Sequence, residues 1–427
     1  MNRVEVSEIT NKHFLEGNRL RSDGSLDAAI EEFGKALRID PDHAGVHFNM
    51  ASALRAKGML DLALDHLRKA VSLDASDAVA RCSIGNIYVE QENYGAAITE
   101  YREAIAIDPQ YAEPHFYLGN VCIQRRQVDT GIAEYREAIR LDPEYADAYA
   151  QLGNVLYDQD ELDEAISNWR EAILQNSDHA ESHFSLGSAF YRLKELDSAL
   201  VHLREAIRIN PKFADAHHVI GDVLCDQGLV EEGMFHYRRA LRLNYTHVSA
   251  RNNLGLALRA RGDLNAAISE WREAIRIDPR FADAHHNLGA ALFMQGNFDM
   301  GVSELREAVR LEPSHAWAHF NLGVALSHIG LVDAAITNWQ EALYLNPEMV
   351  GAHFQLGNAL YRQGLTDVAM SRWRETLRIN PEHPWAQFNL GGAVRGLQSG
   401  HGNSTAAELR PEVIGRIFSD AGKEADS

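Results

Sequence analysis

The chain contains 427 residues, 45% of them hydrophobic, and its 61 acidic side chains outnumber 41 lysines and arginines to give a formal net charge of −20. So acidic a surface repels phosphate groups, which makes nucleic acid and anionic membranes unfavourable partners and attracts basic protein segments. No stretch approaches the roughly 18 apolar residues that cross a bilayer, the first residues lack the apolar core of a signal peptide, and the three cysteines form no CxxC pair. We therefore expect a cytoplasmic protein without membrane insertion.

A 34-residue period governs the chain from Thr10 onward, after an N-terminal extension over residues 1–9. Glycine occupies position 8 of this period in almost every unit, from Gly17 to Gly391, and proline occupies position 32 in most units. No insertion or deletion interrupts eleven units over residues 10–383, and a further first helix is expected to end at residue 397. Repeats of this length indicate a solenoid in which each unit packs on its neighbours.

Each unit is predicted to form two helices, because apolar and small residues recur at helical spacing on both sides of a turn. A short polar side chain, such as Asp163, stands at position 18, where we expect it to cap the second helix. The Asp-Pro or Asn-Pro pair that closes most units ends that helix, since proline cannot continue it.

The glycine at position 8, the small residue at position 20, the alanine at position 27 and the proline at position 32 resemble the tetratricopeptide repeat (TPR). The resemblance implies an all-α, right-handed superhelical solenoid of tandem helix-turn-helix repeats over residues 10–397. In this family the first helices line a concave groove that holds another protein. TPR arrays that clamp the carboxylate of chaperone tails use Lys and Arg in that groove, and this chain instead carries Phe, His and amides, so we do not expect that partner class.

Catalytic and metal-binding patterns are absent from the sequence, which contains no HExxH, GxSxG, P-loop or dinucleotide-binding motif. We therefore expect neither enzymatic activity nor a cofactor. Eight histidines, from His13 to His353, recur at position 4. Equivalent residues on stacked helices lie roughly 8–10 Å apart, too far to share a metal ion, so we interpret these rings as half-buried between helices.

Positions 2, 5, 6, 9, 12 and 13 of each first helix form the predicted groove face. Phenylalanine recurs at position 5, and Asn or Gln recurs at positions 6 and 9, so the face offers aromatic anchors and amides that can bond a peptide backbone. In repeats 3 to 7 the face carries only one arginine, Arg192, against eight carboxylates: Glu90, Glu113, Asp147, Asp158, Glu181, Asp215, Asp222 and Asp226. This excess predicts a preference for basic segments.

The candidate partner-binding residues all lie on this face. In repeats 4 to 7 they are Phe116, Asn120, Asp147, Asn154, Glu181, Phe184 and Asp215. In repeats 9 to 11 and the last helix they are Asn287, Trp317, Phe320, Asn321, Phe354, Asn358, Tyr361, Trp385, Phe388 and Asn389. Trp317 and Trp385 stand at position 2, two repeats apart, and are hypothetical anchors for a partner. The alternative is that each indole packs back on the preceding loop.

Residues 398–427 leave the 34-residue grid. A flexible link is expected to precede Ala406, Leu409, Val413, Ile414, Ile417 and Phe418, which recur at helical spacing. Because a solenoid needs a cover over its last apolar face, this segment is predicted to be a C-terminal cap. The alternative is a free linear motif.

The sequence thus predicts an adaptor or scaffold that grips an extended segment of a partner protein, either basic or containing aromatic residues. Two alternatives stay open. One is a recognition subunit for a separate enzyme such as a glycosyltransferase, since the repeats resemble the arrays that precede such catalytic domains. The other is a structural scaffold that associates with itself.

Overall fold

The computed structural model describes residues 3–399, and within that range its regular elements are α-helices without a β-strand. The chain divides into two compact units, Met1–Pro211 and Lys212–Ser427. The helices of unit 1 are α1 (Arg3–Ser22), α2 (Leu26–Ile39), α3 (Ala44–Ala56), α4 (Leu60–Leu73), α5 (Ala78–Glu90), α6 (Tyr94–Ile107), α7 (Ala112–Gln124), α8 (Val128–Leu141), α9 (Ala146–Asp158), α10 (Leu162–Gln175), α11 (Ala180–Arg192) and α12 (Leu196–Ile209).

Unit 2 continues the same alternation of first and second helices. Its helices are α13 (Ala214–Asp226), α14 (Val230–Leu243), α15 (Val248–Ala260), α16 (Leu264–Ile277), α17 (Ala282–Met294), α18 (Phe298–Leu311), α19 (Ala316–His328), α20 (Val332–Leu345), α21 (Val350–Arg362), α22 (Thr366–Ile379) and α23 (Pro384–Ser399). Within each unit every helix packs against the next one along the chain. The predicted tandem helix pairs are therefore confirmed.

Close packing of each helix pair depends on a large side chain at position 24, which presses on the glycine at position 8 of the same repeat. A Cβ atom at Gly255 would lie 2.5 Å from the Trp271 ring, and one at Gly85 would lie 2.5 Å from the Tyr101 ring. Real Cβ atoms do not approach rings so closely, so only glycine fits here. Alanines at positions 20 and 27 are fully buried in the same second helices, and they let the neighbouring helices approach.

The second helices begin before the aspartate that was expected to cap them. Helix α10 begins at Leu162, so Asp163 lies in its first turn and Glu161 occupies the capping position without a side-chain cap. The predicted cap at position 18 is therefore wrong, and its carboxylate stabilises the helix through the positive N-terminal end of the dipole. Several first helices are capped instead. Asp77 and His315 each accept a hydrogen bond from a backbone N–H three residues on.

The helix bounds differ from the predicted domain limits at both ends of the described range. Residue 10, the expected start of the first repeat, lies inside α1, because that helix already begins at Arg3. At the other end α23 continues to Ser399, two residues beyond the expected end of the solenoid. The predicted cap over residues 406–418 lies outside the described residues.

Candidate functional site

A cleft of about 500 Å³ opens among the first helices of unit 1. Its lining comes from α3, α5, α7 and α9, which are consecutive first helices, and from one tyrosine on each of α6 and α8. The lining residues are Arg55, Asn86, Val89, Glu90, Tyr101, Tyr117, Asn120, Val121, Ile123, Gln124, Tyr135 and Gln151. The cleft therefore combines amides with tyrosine rings, and Asn120 is the one predicted partner-binding residue among the residues that line it.

Tyrosine hydroxyls hold the two asparagines of this cleft. Tyr101 Oη donates to Asn86 Oδ1 at 2.7 Å, and Tyr135 Oη donates to Asn120 Oδ1 at 2.7 Å. The two pairs lie 34 residues apart, so the same arrangement recurs in adjacent repeats. Among residues 3–399 neither amide NH₂ has a hydrogen-bond acceptor. Both NH₂ groups are thus left to donate to a ligand carbonyl or to water.

This pairing gives the asparagines at position 9 a structural role that sequence reasoning missed. Asn154 likewise accepts a hydrogen bond from Trp169 Nε1 at 2.9 Å. In the repeat of Trp339 the same position is Val324, and the buried Trp339 Nε1 has no partner in the described part of the chain. The available signal was the co-occurrence of Asn at position 9 with Tyr or Trp at position 24.

A row of carboxylates continues along the first helices of unit 1. Glu113, Asp147 and Glu181 occupy position 2 of three successive repeats, and all three are exposed. His179 Nε2 lies 3.1 Å from Asp147 Oδ1, and this hydrogen bond lowers the pKa of Asp147. Within residues 3–399 no Lys or Arg pairs with any of the three. The row therefore has no Lys or Arg beside it in the described range and is open to a cationic ligand.

The arginines beside this row are already paired. Arg55 contacts Glu90 at 2.6 Å. Arg192 pairs with Asp160 and also lies over the Tyr157 ring, 5.3 Å from its centroid. Neither guanidinium neutralises the position-2 carboxylates.

In unit 2 the predicted acidic residues differ in exposure. Asp215 is exposed, with its Oδ1 3.2 Å from His247 Nε2. Asp222 instead accepts hydrogen bonds from Tyr237 Oη at 2.8 Å and from Asn253 Nδ2 at 2.9 Å, and only 14% of its side chain is exposed. Asp222 therefore serves the packing of unit 2, and its assignment to the groove surface is corrected.

Seven candidate partner-binding residues are buried, contrary to the expectation that they face an open groove. They are Phe116, Asn287, Phe320, Asn321, Phe354, Asn358 and Asn389. The rings at position 5 pack on the residue at position 34, just before the next first helix. Ring centroids lie 5.0 Å apart for Phe116 and Tyr145 and 4.7 Å apart for Phe354 and His383.

The ring of Phe320 also explains why glycine stands between the two tryptophans at position 2. A Cβ atom at Gly351 would lie 2.9 Å from the tip of the Phe320 ring. Trp317 is half-buried and packs edge-on against the same ring, with centroids 5.7 Å apart. Trp317 thus packs on its own helix, which is neither the free anchor nor the loop contact considered from the sequence.

The buried amides bond across successive repeats. Asn287 Nδ2 donates to Asn252 Oδ1 at 3.0 Å, and Asn389 Nδ2 donates to Asn358 Oδ1 at 2.9 Å. Asn321 Nδ2 lies 2.7 Å from His286 Nε2. Each of these amide nitrogens thus has an acceptor on the preceding first helix, whereas the buried Oδ1 atoms of Asn321 and Asn389 have no hydrogen-bond partner among residues 3–399.

The other aromatic candidates differ in exposure. Phe184 is half-buried, and Tyr361 is half-buried against Trp373 with ring centroids 5.4 Å apart. On α23, Trp385 is 46% exposed and Phe388 is 58% exposed. The two rings on α23 are therefore the most accessible of the predicted aromatic residues.

The histidines at position 4 lie between helices, as predicted. His115 Nδ1 is 2.7 Å from Glu134 Oε2, and His47 Nε2 is 2.9 Å from the carbonyl oxygen of Pro41. Residues 3–399 contain no group of three or more His, Cys, Asp or Glu placed to hold a metal ion. None of the helices in that range has an apolar stretch of bilayer length.

Family models match much of the chain in separate pieces. A model described as "Cilia and flagella-associated protein 70 C-terminal domain" matches residues 111–320. A model described as "TPR repeat" matches residues 17–58, 85–125 and 328–364, and one described as "Tetratricopeptide repeat" matches residues 44–77. No curated protein matches the sequence.

Solved structures match the chain at low sequence identity, and the first of them shows the fold. The structure titled "Crystal structure of APC/C hetero-tetramer Cut9-Hcn1" is 15% identical, with a TM-score of 0.54 over 92% of this chain and 97% of that chain. PilF of Pseudomonas aeruginosa is 21% identical, with a TM-score of 0.44 over 48% of this chain and 94% of that chain. MamA is 25% identical, with a TM-score of 0.35 over 38% of this chain and 95% of that chain.

The single-repeat match over residues 44–77 spans 34 residues, which is the period of the helix pairs. The TPR fold is typically a non-catalytic protein-interaction module, so it supports a scaffold with protein partners. The chain belongs to the tetratricopeptide repeat family.

Proposed function

We propose that the chain is a scaffold whose unit 1 binds an extended, basic segment of a partner protein along the first-helix cleft. The observation that carries this proposal is the repeated pair of asparagines, Asn86 and Asn120, whose oxygens are held by tyrosine hydroxyls. Two donors at a fixed repeat spacing suit the carbonyl groups of an extended backbone.

The charge of the segment follows from the position-2 row. Glu113, Asp147 and Glu181 present three carboxylates without a Lys or Arg partner in the described range. A Lys or Arg side chain on a bound segment would compensate them, and the attraction would raise the association rate at low salt. Of the predicted residues, Asn120, Asp147, Asn154, Glu181 and Phe184 belong to this proposed surface.

A pair of matched double variants tests the charge argument. Asp147→Asn with Glu181→Gln removes two carboxylates of the row, and Asp129→Asn with Asp163→Asn removes two exposed carboxylates at position 18 in the same part of the chain. Both pairs are 34 residues apart and change the net charge equally. The probe is a fluorescent peptide in which Lys alternates with Thr, compared with its Glu-for-Lys counterpart.

We expect the groove variant to lower the association rate of the Lys peptide about threefold to tenfold, and the control variant to change it little. The difference should shrink at high salt, because the Debye length falls from about 10 Å at 0.1 M to about 3 Å at 1 M. Equal effects of the two double variants would refute a specific acidic groove and leave only the general negative charge.

The other candidate functions predict different behaviour. A structural scaffold that associates with itself would increase in mass over a concentration series measured by light scattering. A recognition subunit would co-purify with a catalytic chain, and loss of that chain from the Asp147→Asn, Glu181→Gln variant would place the contact at the same cleft.

A further inference from the structure

The last helix of the described range, α23, has the features of half a repeat. In ten repeats the glycine at position 8 is covered by the large side chain at position 24, and an added Cβ would lie 2.5–2.8 Å from that side chain. At Gly391 the one atom of residues 3–399 near an added Cβ is Arg395 Nη1, at 3.7 Å. The depression that receives a side chain in the other repeats, here called the Gly391 socket, is open.

The ring at position 5 of α23 is uncovered as well. Phe388 is 58% exposed, whereas its equivalents Phe116, Phe320 and Phe354 are 8%, 1% and 6% exposed. Trp385, one turn earlier on the same helix, is 46% exposed. Two rings and a socket on this helix are thus uncovered, whereas in other repeats the second helix fills the socket and the ring at position 5 packs on the residue at position 34.

The opposite face of α23 is fully packed. Ala386 is 0% exposed, Asn389 is 5% exposed and Ala393 is 3% exposed, and Leu390 and Val394 pack against the apolar cluster of unit 2. The open face is therefore not a consequence of a detached helix. It is a surface on a helix that is otherwise held in place, and its cover must come from beyond residue 399 or from another molecule.

We propose that residues 406–418 of this chain cover the open face of α23, with Phe418 in the Gly391 socket. This assignment is independent of the peptide-binding proposal. The segment follows α23 after residues 400–405, and it carries apolar side chains at helical spacing, among them Val413, Ile414, Ile417 and Phe418. Phe418 is the one Phe, Tyr or Trp in residues 400–427, and position 24 carries an aromatic residue in eight of the eleven second helices.

Length and connectivity favour this segment over a separate molecule. The second helices of the other repeats have 14 residues, and residues 400–427 are twice that number. A tethered segment also has an effective concentration in the millimolar range, which a second copy or a partner must match from solution. Covering two exposed rings by burial of apolar area is favourable at about 25 cal/mol per Å².

Hydrogen exchange on the full-length chain tests the proposal, with Phe418→Ala as the variant and Arg416→Ala as the control in the same segment. We expect Phe418→Ala to speed amide exchange in α23 at least about tenfold, because large-to-small changes in a packed contact cost several kcal/mol. Exchange in α1 to α20 should be unchanged, which verifies that the rest of the chain folds. The Arg416→Ala control should resemble the natural chain.

A second variant approaches the same contact from α23. Gly391→Leu fills the socket and should speed exchange in residues 384–397 as Phe418→Ala does, with no additional effect when the two are combined. Two results would overturn the proposal. One is amide exchange in α23 of Phe418→Ala at the same rate as in the unsubstituted chain. The other is a dimer in light scattering that Phe388→Ala abolishes and Phe418→Ala does not, which would make a second copy the cover. Binding of the Lys peptide by unit 1 should not change in either variant.

Discussion

Gly323 lies under the indole of Trp339, and an added Cβ would stand 2.5 Å from the ring nitrogen. We predict that Gly323→Ala lowers the free energy of unfolding by about 1–3 kcal/mol, because a fully buried ring cannot move aside without cost. Gly34→Ala is the matched control, since the only atom near its Cβ would be the flexible Arg38 Nη1 at 3.8 Å. That control should gain about 0.5–1 kcal/mol from reduced backbone freedom. Urea denaturation measures both, and equal losses would contradict the packing argument.

Three histidine pairs connect position 4 to position 23. The Nδ1 atoms of His183 and His202 are 3.2 Å apart, and those of His47 and His66 are 2.8 Å apart. Burial, followed by the charge of the neighbouring His47, lowers the pKa of His66. Burial, followed by His183 and Arg170, lowers the pKa of His202. The folded protein thus favours neutral rings, whereas unfolded chains bind protons at about pH 6.5.

Stability should therefore fall as the pH drops below the unfolded histidine value of about 6.5, because the unfolded state then binds more protons than the folded one. Asp147 adds to the loss at lower pH, since its lowered pKa contributes stability only while it is charged. We predict a melting temperature that decreases by a few degrees between about pH 7.5 and 5.5.

His202→Glu provides the control, because it copies the His115–Glu134 pair at the equivalent place two repeats earlier. A histidine that faces a carboxylate is stabilised on protonation, so the variant should lose less melting temperature over the same pH interval. An identical loss in the variant and the natural chain would show that the His183–His202 pair does not cause the dependence.

At the scale of helices and turns, the residue two positions after each first helix from α1 to α21 adopts a left-handed conformation. Seven of these residues are glycines, but Glu92, Arg126, Asp160 and Lys194 have positive φ angles of 58° to 66° in four successive repeats of unit 1. A residue with a Cβ atom in this conformation destabilises the folded state by about 1–2 kcal/mol. Glycine avoids this cost, but its greater conformational freedom in the unfolded chain offsets part of the gain.

We predict that Glu92→Gly and Arg126→Gly each raise the free energy of unfolding by about 0.5–1 kcal/mol. The reverse change Gly58→Ala, at a φ of 75°, should lower it by a similar amount. Thermal denaturation of the three variants checks the prediction. A loss of stability in Arg126→Gly would mean that its side chain makes a contact worth more than the backbone cost.

The period of the sequence was enough to predict the helices, because most repeats carry a glycine, small residues and a proline at the same places. The caps were not predictable in the same way. Asp163 is compatible with a cap at position 18, and only the start of α10 at Leu162 places it in the first turn. Two helix starts that differ by two residues have the same helical periodicity, so the sequence does not select between them.

The face of each first helix was also predictable, but the depth of its residues was not. Phe388 and Phe320 occupy the same position and have the same sequence signal, yet one is exposed and the other buried. The difference arises from the presence of a following repeat, in which Gly351 leaves room for the Phe320 ring. Burial of this kind depends on residues one repeat away and cannot be read from a single helix.

At the scale of the whole molecule, stability is expected to grow with the number of stacked repeats. Removing residues 1–43 deletes α1 and α2 and uncovers Val46 and Ala53, which are now buried beside Phe33. We predict a shorter chain that keeps its helical circular dichroism per residue and unfolds at a lower urea concentration. Complete loss of helicity after this deletion would contradict a stack held by nearest-neighbour contacts.

Two packing contacts, one inside a repeat and one between repeats, determine how repeats of this chain could be duplicated. The ring at position 24 and the glycine at position 8 belong to one repeat, so this fit accompanies the repeat wherever it is inserted. The contact of Phe320 with Gly351 crosses a repeat boundary. A tandem copy of residues 316–349 would place a tryptophan equivalent to Trp317 where glycine now stands, so the Phe320 ring would have to shift, whereas Phe354 already precedes a tryptophan, Trp385, at that position. Duplication of a repeat therefore preserves the packing inside that repeat and requires a side chain to move where two repeats meet.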